Sequence, residues 1–220
     1  MKKVSPPCVT TRAVIVWVGL CAVLISGCLT VENKEYHIKL RSDHSGEATI
    51  KFINIMSEAD DSVDISKDDF QQLVEFYLHG TQIEKDNPGF HNARKRLYEE
   101  DGVLVGELTL TFDSLSVLRL FKLDKDSPFM YFVGNPLSSE RFVESNGTYG
   151  GEWMPVVFWP KEAHELYVKT KVVSEVSHHR SLLENFKEWQ ADRDSGQQPK
   201  NQDHGSLRSN PGPQARLKKQ

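Results

Sequence analysis

Beyond residue 28 the chain has no cysteine. Its three cysteines, Cys8, Cys21 and Cys28, all lie within the first 28 of 220 residues. That excludes a disulfide framework and a thiolate metal site for everything downstream, so a folded part must be held by its core. Long apolar runs are lacking too. The longest, Ala13 to Ile25, has thirteen residues, against the ~20 that a bilayer-spanning helix needs. Basic charge is scarce in the body of the chain: residues 28–190 carry 28 acidic and 18 basic residues, a formal net of −10. A nucleic-acid binder needs a basic footprint, so that class is excluded, and a broad electrostatic face toward anionic lipid is disfavoured.

Catalytic signatures are missing as well. There is no Gly-x-Ser-x-Gly elbow, no His-Glu-x-x-His, no P-loop and no dinucleotide fingerprint. Of the eight histidines, only His178 and His179 are adjacent, and neighbours on a strand point to opposite faces. Asp64-x-Ser66-x-Asp68 with Glu75 mimics part of a calcium loop, but Asp69 stands where that loop needs glycine. The chain therefore reads as a protein without metal or cofactor and not as an enzyme. A hydrolase whose residues meet only in space is the weakest of three readings.

What is present begins at the amino terminus. Lys2, Lys3 and Arg12 precede the apolar run, which closes on Ile25-Ser26-Gly27-Cys28. A basic front, an apolar stretch and small residues at the end form a secretory signal peptide. Ile25-Ser26-Gly27-Cys28 resembles the lipobox of bacterial lipoproteins. The resemblance implies cleavage between Gly27 and Cys28, a diacylglycerol thioether on Cys28 and acylation of the new amino terminus. Two or three chains on one cysteine would anchor stably, where one holds only marginally. Leu29 takes the place where the lipoprotein sorting rule puts aspartate for inner-membrane retention, so the resemblance leans toward the outer membrane. The expected organisation is a signal peptide over 1–27, one lipid-anchored domain over 28–190 and a disordered tail over 191–220. That tail is polar throughout and cannot offset its ordering entropy by burial.

Periodicity predicts the elements. Tyr36, Ile38 and Leu40 alternate with polar residues over 32–41, which is a half-buried strand. Asp43-His44-Ser45-Gly46 is a turn, and the return strand runs over 48–56, with Ile50, Phe52 and Met56 on one face and Ile53 and Ile55 on the other. Ser66 with Asp69 is close to a capping box. It opens an amphipathic helix striped by Phe70, Leu73, Val74, Tyr77 and Leu78, which Gly80 ends. Residues 81–92 read as a loop and 94–100 as a strand. Asp101-Gly102 is a hairpin turn, and 103–112 is the clearest strand, with Leu104, Leu108, Leu110 and Phe112 inward. Ser114 starts a short helix carrying Leu115, Leu118 and Phe121. Hairpin and helix thus occur twice without sequence repetition.

Residues 128–133 are apolar on both faces, which suits a strand covered twice or lining a pocket. Strands follow over 141–145, 154–159 and 164–174, and the Asn146-Gly147-Thr148 sequon reads as turn chemistry. Ser181 with Glu184 opens a last helix lined by Leu182, Leu183, Phe186 and Trp189. The expected fold is α+β: a mainly antiparallel sheet of roughly seven strands with two or three helices on one face, in a single domain.

Asn146-Gly147-x-Tyr149-x-Gly151, then Val156-Val157-Phe158-Trp159-Pro160, together with an opening hairpin that turns at Ser45-Gly46, is similar to LppM-like lipoprotein domains. The resemblance implies a sheet with helices on one side, allows a hydrophobic groove, and supplies no catalytic residue. Two functional readings stand first. One is a protein that binds a lipid or other apolar envelope ligand, with Phe129, Tyr131, Trp153 and Trp159 as candidate contacts. The other is a structural or assembly subunit that docks on another envelope protein through an exposed apolar patch or an open sheet edge. Both partner the membrane through the Cys28 lipid.

Overall fold

The computed structural model describes residues 29–58, 64–134, 140–172 and 179–196. The lipobox and the tail from residue 197 lie outside them, as does His178. In chain order the strands are β1 (Leu29–Leu40), β2 (Gly46–Glu58), β3 (Phe90–Glu100), β4 (Val103–Phe112), β5 (Leu120–Phe121), β6 (Phe129–Phe132), β7 (Arg141–Ser145), β8 (Thr148–Tyr149), β9 (Val156–Trp159), β10 (Glu165–Lys171) and β11 (His179–Ser181). The helices are α1 (Ser66–Gln72), which continues as a π-helical stretch over Leu73–Leu78, then α2 (Gln82–Asp86) and α3 (Leu183–Asp194). A 3-10 turn covers Leu115–Leu118. Among the described residues no helix is long and apolar enough to cross a membrane.

A seven-stranded antiparallel sheet runs β3-β4-β2-β1-β10-β7, with β11 paired to the end of β2. The β1–β2 hairpin turns where the Asp43 carboxylate accepts hydrogen bonds from the Ser45 amide (3.0 Å) and hydroxyl (2.7 Å). The β3–β4 hairpin turns at Asp101 and Gly102, both left-handed at φ 52° and 78°, as a type I′ turn requires. The outer face of this sheet carries cross-strand ion pairs, among them Glu35 with Lys169 (2.9 Å) and Lys51 with Glu100 (3.0 Å). The inner face is apolar and is covered in two parts.

One part is a second sheet, β5-β6-β9-β8. Its Phe129, Tyr131 and Trp159 pack on Ile38, Ile50, Leu110 and Phe112. The other part is helical: Phe70, Leu73, Leu183 and Phe186 pack on Ile55 and Leu104. Side chains of this size contribute about 1.5–3 kcal/mol each when fully buried.

Several expectations change. The expected antiparallel sheet of seven strands is present, but a second sheet of four strands stands beside it; its strands β5 and β8 span two residues each and carry no readable alternation. Residues 82–86, read as loop, form α2. Asp69 does not cap α1: it is buried and accepts from the Ser57 hydroxyl at 2.5 Å, while the Asp64 carboxylate accepts from the Ser66 amide at 3.0 Å. Ser181 and Glu184 likewise form no capping box: no side chain caps α3, and the Ser181 hydroxyl accepts from the Leu183 amide at 3.3 Å. On β2, Asn54 adopts φ 56° and donates to the Glu32 carboxylate at 2.9 Å. The left-handed residue turns the strand over, so Ile55 rather than Met56 joins Phe52. Phe132 is half exposed, so β6 alternates instead of being covered twice. α3 continues to Asp194, past the expected end of the domain at residue 190.

Candidate functional site

Between the two halves of the inner-face covering lies a cleft of about 480 Å³, within the rough range of small-molecule sites, about 300–1,000 Å³. Its floor comes from Phe52 and Ile55 of β2, Leu97 of β3 and Leu108 of β4. The π-helical stretch contributes Leu73, Tyr77 and Leu78 to one wall. There the His79 amide bonds to the Val74 carbonyl, five residues back, at 2.9 Å. Such local widening recurs at functional sites. Ile83, Phe90 and Val117 close the far side.

Gly106 of β4 also lines the cleft. Along β4, Leu104 and Leu108 point inward, and Gly106 lies between them at the same phase. The missing side chain lets Ile55 Cδ1 and Leu97 Cδ2 close in to 3.0 and 3.5 Å of where a Cβ would stand, so any side chain here pushes Ile55 and narrows the cleft beside it. Leu29, Thr30 and Val31, which directly follow Cys28 in sequence, also line the cleft.

Most charged groups of the wall are already held. Lys34 Nζ lies 2.5 Å from Glu140, whose side chain is 4% exposed. Lys95 Nζ donates to the Gly80 carbonyl (2.8 Å) and to Glu84 (2.6 Å). Arg96 donates to both oxygens of Glu107, at 2.9 and 2.8 Å. Asp86 accepts from Gln82 at 2.7 Å. Arg119, left-handed at φ 57° at the end of the 3-10 turn, is the remaining charge; among the described residues its side chain makes no hydrogen bond or ion pair.

Beside it stand two tyrosines with ring centroids 5.6 Å apart, Tyr36 and Tyr131. Burial, then Tyr131 and Glu140, raise the Tyr36 phenol well above its ordinary pKa. Burial, then Glu140, push Tyr131 up to about 12. Both remain neutral hydroxyls at physiological pH, and the Tyr131 hydroxyl lacks a well-formed hydrogen bond among the described residues.

The comparisons bring no relative. No family model, curated protein or solved structure matches the chain. The site must be read from its own chemistry, and among the described residues no group of three or more His, Cys, Asp or Glu side chains converges as a metal site would.

The four residues picked from the sequence do not meet in the cleft. Phe129, Tyr131 and Trp159 are fully buried between the sheets. Trp159 Nε1 donates to Asn146 Oδ1 at 2.6 Å, which also accepts the Tyr167 amide at 2.8 Å. Trp153 is fully exposed in the turn before β9. Tyr131 comes nearest, through its contact with the wall residue Tyr36.

The Arg96–Glu107 pair on the rim yields a pH prediction. Arg96's hydrogen bonds lower the Glu107 pKa, against the opposing effect of burial. A carboxylate held below its unfolded value, ~4.3 for glutamate, stabilises the fold above that pH and stops doing so as pH falls through the folded pKa. Glu107→Gln is therefore expected to cost about 1 kcal/mol at neutral pH. The difference in Tm from the parent should close below about pH 4. A difference that persists at pH 3 would assign the effect to packing instead.

Proposed function

We propose that the protein is a bacterial envelope lipoprotein, anchored to the outer membrane through lipid on Cys28. Its single domain, which runs on to the end of α3 at Asp194, holds a lipid or other apolar ligand in the cleft. The observation that carries this reading is the apolar cleft itself, bordered by Leu29, Thr30 and Val31. A ligand released from the membrane would meet its mouth beside the anchor. The reading is of a binding protein and not an enzyme, with no cofactor. Native mass spectrometry of the full chain, purified from bacterial membranes, tests it. A reproducible added mass that leaves on denaturation is expected, together with an acyl-bearing peptide that starts at Cys28. A bare monomer mass would remove the ligand, and an unmodified Cys28 would remove the anchor.

One observation favours a second reading, a subunit that docks on another envelope protein. Phe121 and Phe132 meet edge to face at 5.5 Å on the outer side of the small sheet, about half exposed, and Met154 is equally open. Exposed apolar clusters of this kind mark interaction surfaces. Crosslinking in intact cells should then yield a defined heteromer that Phe132→Ser removes; a chain that stays alone counts against it.

A further inference from the structure

We infer that the ligand is a single-chain amphiphile with an anionic oxygen head group, a carboxylate or phosphate monoester, and that Arg119 binds that head. The inference rests on the cleft reading above and concerns what the cleft selects.

Charge accounts for the choice. Lys34, Lys95 and Arg96 are each paired with a carboxylate inside the protein. Asp86, the wall's unpaired anion, already accepts a hydrogen bond. Arg119 alone presents a cation with no internal partner among the described residues. Its guanidinium offers a planar fork of donors that matches carboxylate and phosphate oxygens and never deprotonates. Tyr36, also on the wall, keeps a neutral hydroxyl and so places no negative charge against an anionic head.

Shape accounts for the tail. The cleft follows β1 from Val31 to Tyr36, a reach of roughly 17 Å at ~3.3 Å per residue. Besides Arg119 and the paired charges, Val31, Ile55, Leu73 and Leu97 line it with apolar surface. A mainly apolar cleft that runs beside this length of β1 and bears one unpaired cation suits one acyl chain with its head at Arg119. The anchor's own acyl groups enter beside Leu29 and bring no anion to Arg119, so the test separates them from a free amphiphile.

Photo-crosslinking in membrane vesicles that carry the full chain decides the matter. Matched diazirine probes would be hexadecanoate, hexadecyl phosphate, hexadecanol and hexadecylamine, each scored by labelling of cleft-lining peptides. The acid and the phosphate should label at least fivefold more than the alcohol or the amine. Arg119→Gln should abolish that preference, so that acid and phosphate label no more than the alcohol, and Arg119→Lys should restore part of it. Equal labelling by acid and alcohol in the parent, or an acid preference that survives Arg119→Gln, would overturn the head-group inference while leaving the cleft occupied. Labelling of the cleft by none of the probes would overturn both.

Discussion

Replacing Lys34 with methionine is expected to cost about 3–5 kcal/mol, because it leaves a carboxylate buried without its cation. Glu140 is 4% exposed, and its counter-charge is Lys34 Nζ at 2.5 Å. Among the described residues its other side-chain hydrogen bond, from the Thr170 hydroxyl, is long at 3.4 Å and neutral. Water cannot take over solvation at such a position, so the desolvation cost that the pair shares falls on Glu140 alone. For a chain of this size the loss corresponds to a fall in Tm of roughly 10 °C, at ~2–4 °C per kcal/mol. Adding Glu140→Gln removes the stranded charge, and the double variant should regain at least half of the loss. Thermal unfolding of the three chains measures this directly. If the double variant is no more stable than the single one, Lys34 acts through its packed methylenes.

The second large effect concerns occupancy rather than stability. Gly106→Leu is expected to lower ligand retention at least tenfold and to cost about 1–3 kcal/mol of stability by overpacking, less the ~0.5–1 kcal/mol of chain entropy that a side chain recovers from a strand glycine. The cost comes from the push against Ile55, whose Cδ1 lies 3.0 Å from the added Cβ. The larger Gly106→Ala to Gly106→Leu step should show a graded loss, because each added carbon takes volume from the same slot. Native mass spectrometry reads retention and thermal unfolding reads stability. Full retention by Gly106→Leu would place the bound mass elsewhere on the molecule.

Sequence alone made part of this legible. The alternation of β1, β2 and β4 and the stripe Phe70, Leu73, Val74, Tyr77 and Leu78 mark inward faces because burial is periodic in strands and helices. What covers a face is not periodic, so its division between a small sheet and helices stays hidden. Phe129, Tyr131 and Trp159 look like ligand contacts because they are large and clustered, yet packing two sheets together calls for the same residues. The cleft's own mark was readable and was passed over. Leu104 and Leu108 bracket a glycine at an inward position, and an inward position with no side chain is a void unless a neighbour fills it. Arg119 gives no signal in sequence, since its isolation depends on how the other charges find partners across the fold.

The sheet's open border has a consequence for how copies of this chain behave together. β3 pairs only with β4, so its far edge offers backbone groups that another strand could recruit. Three adjacent residues, Arg94, Lys95 and Arg96, sit on that edge strand. Just before them the pairing slips between His91 and Arg94, and Asn92 is left-handed at φ 52°. Charge and a bulge are the devices that keep a bare strand from seeding polymerisation. Molecules tethered to one surface meet at high local concentration and share an orientation, conditions under which edge-to-edge growth is hardest to suppress. For a chain anchored as proposed, a border made poor at templating would let copies stay crowded and separate.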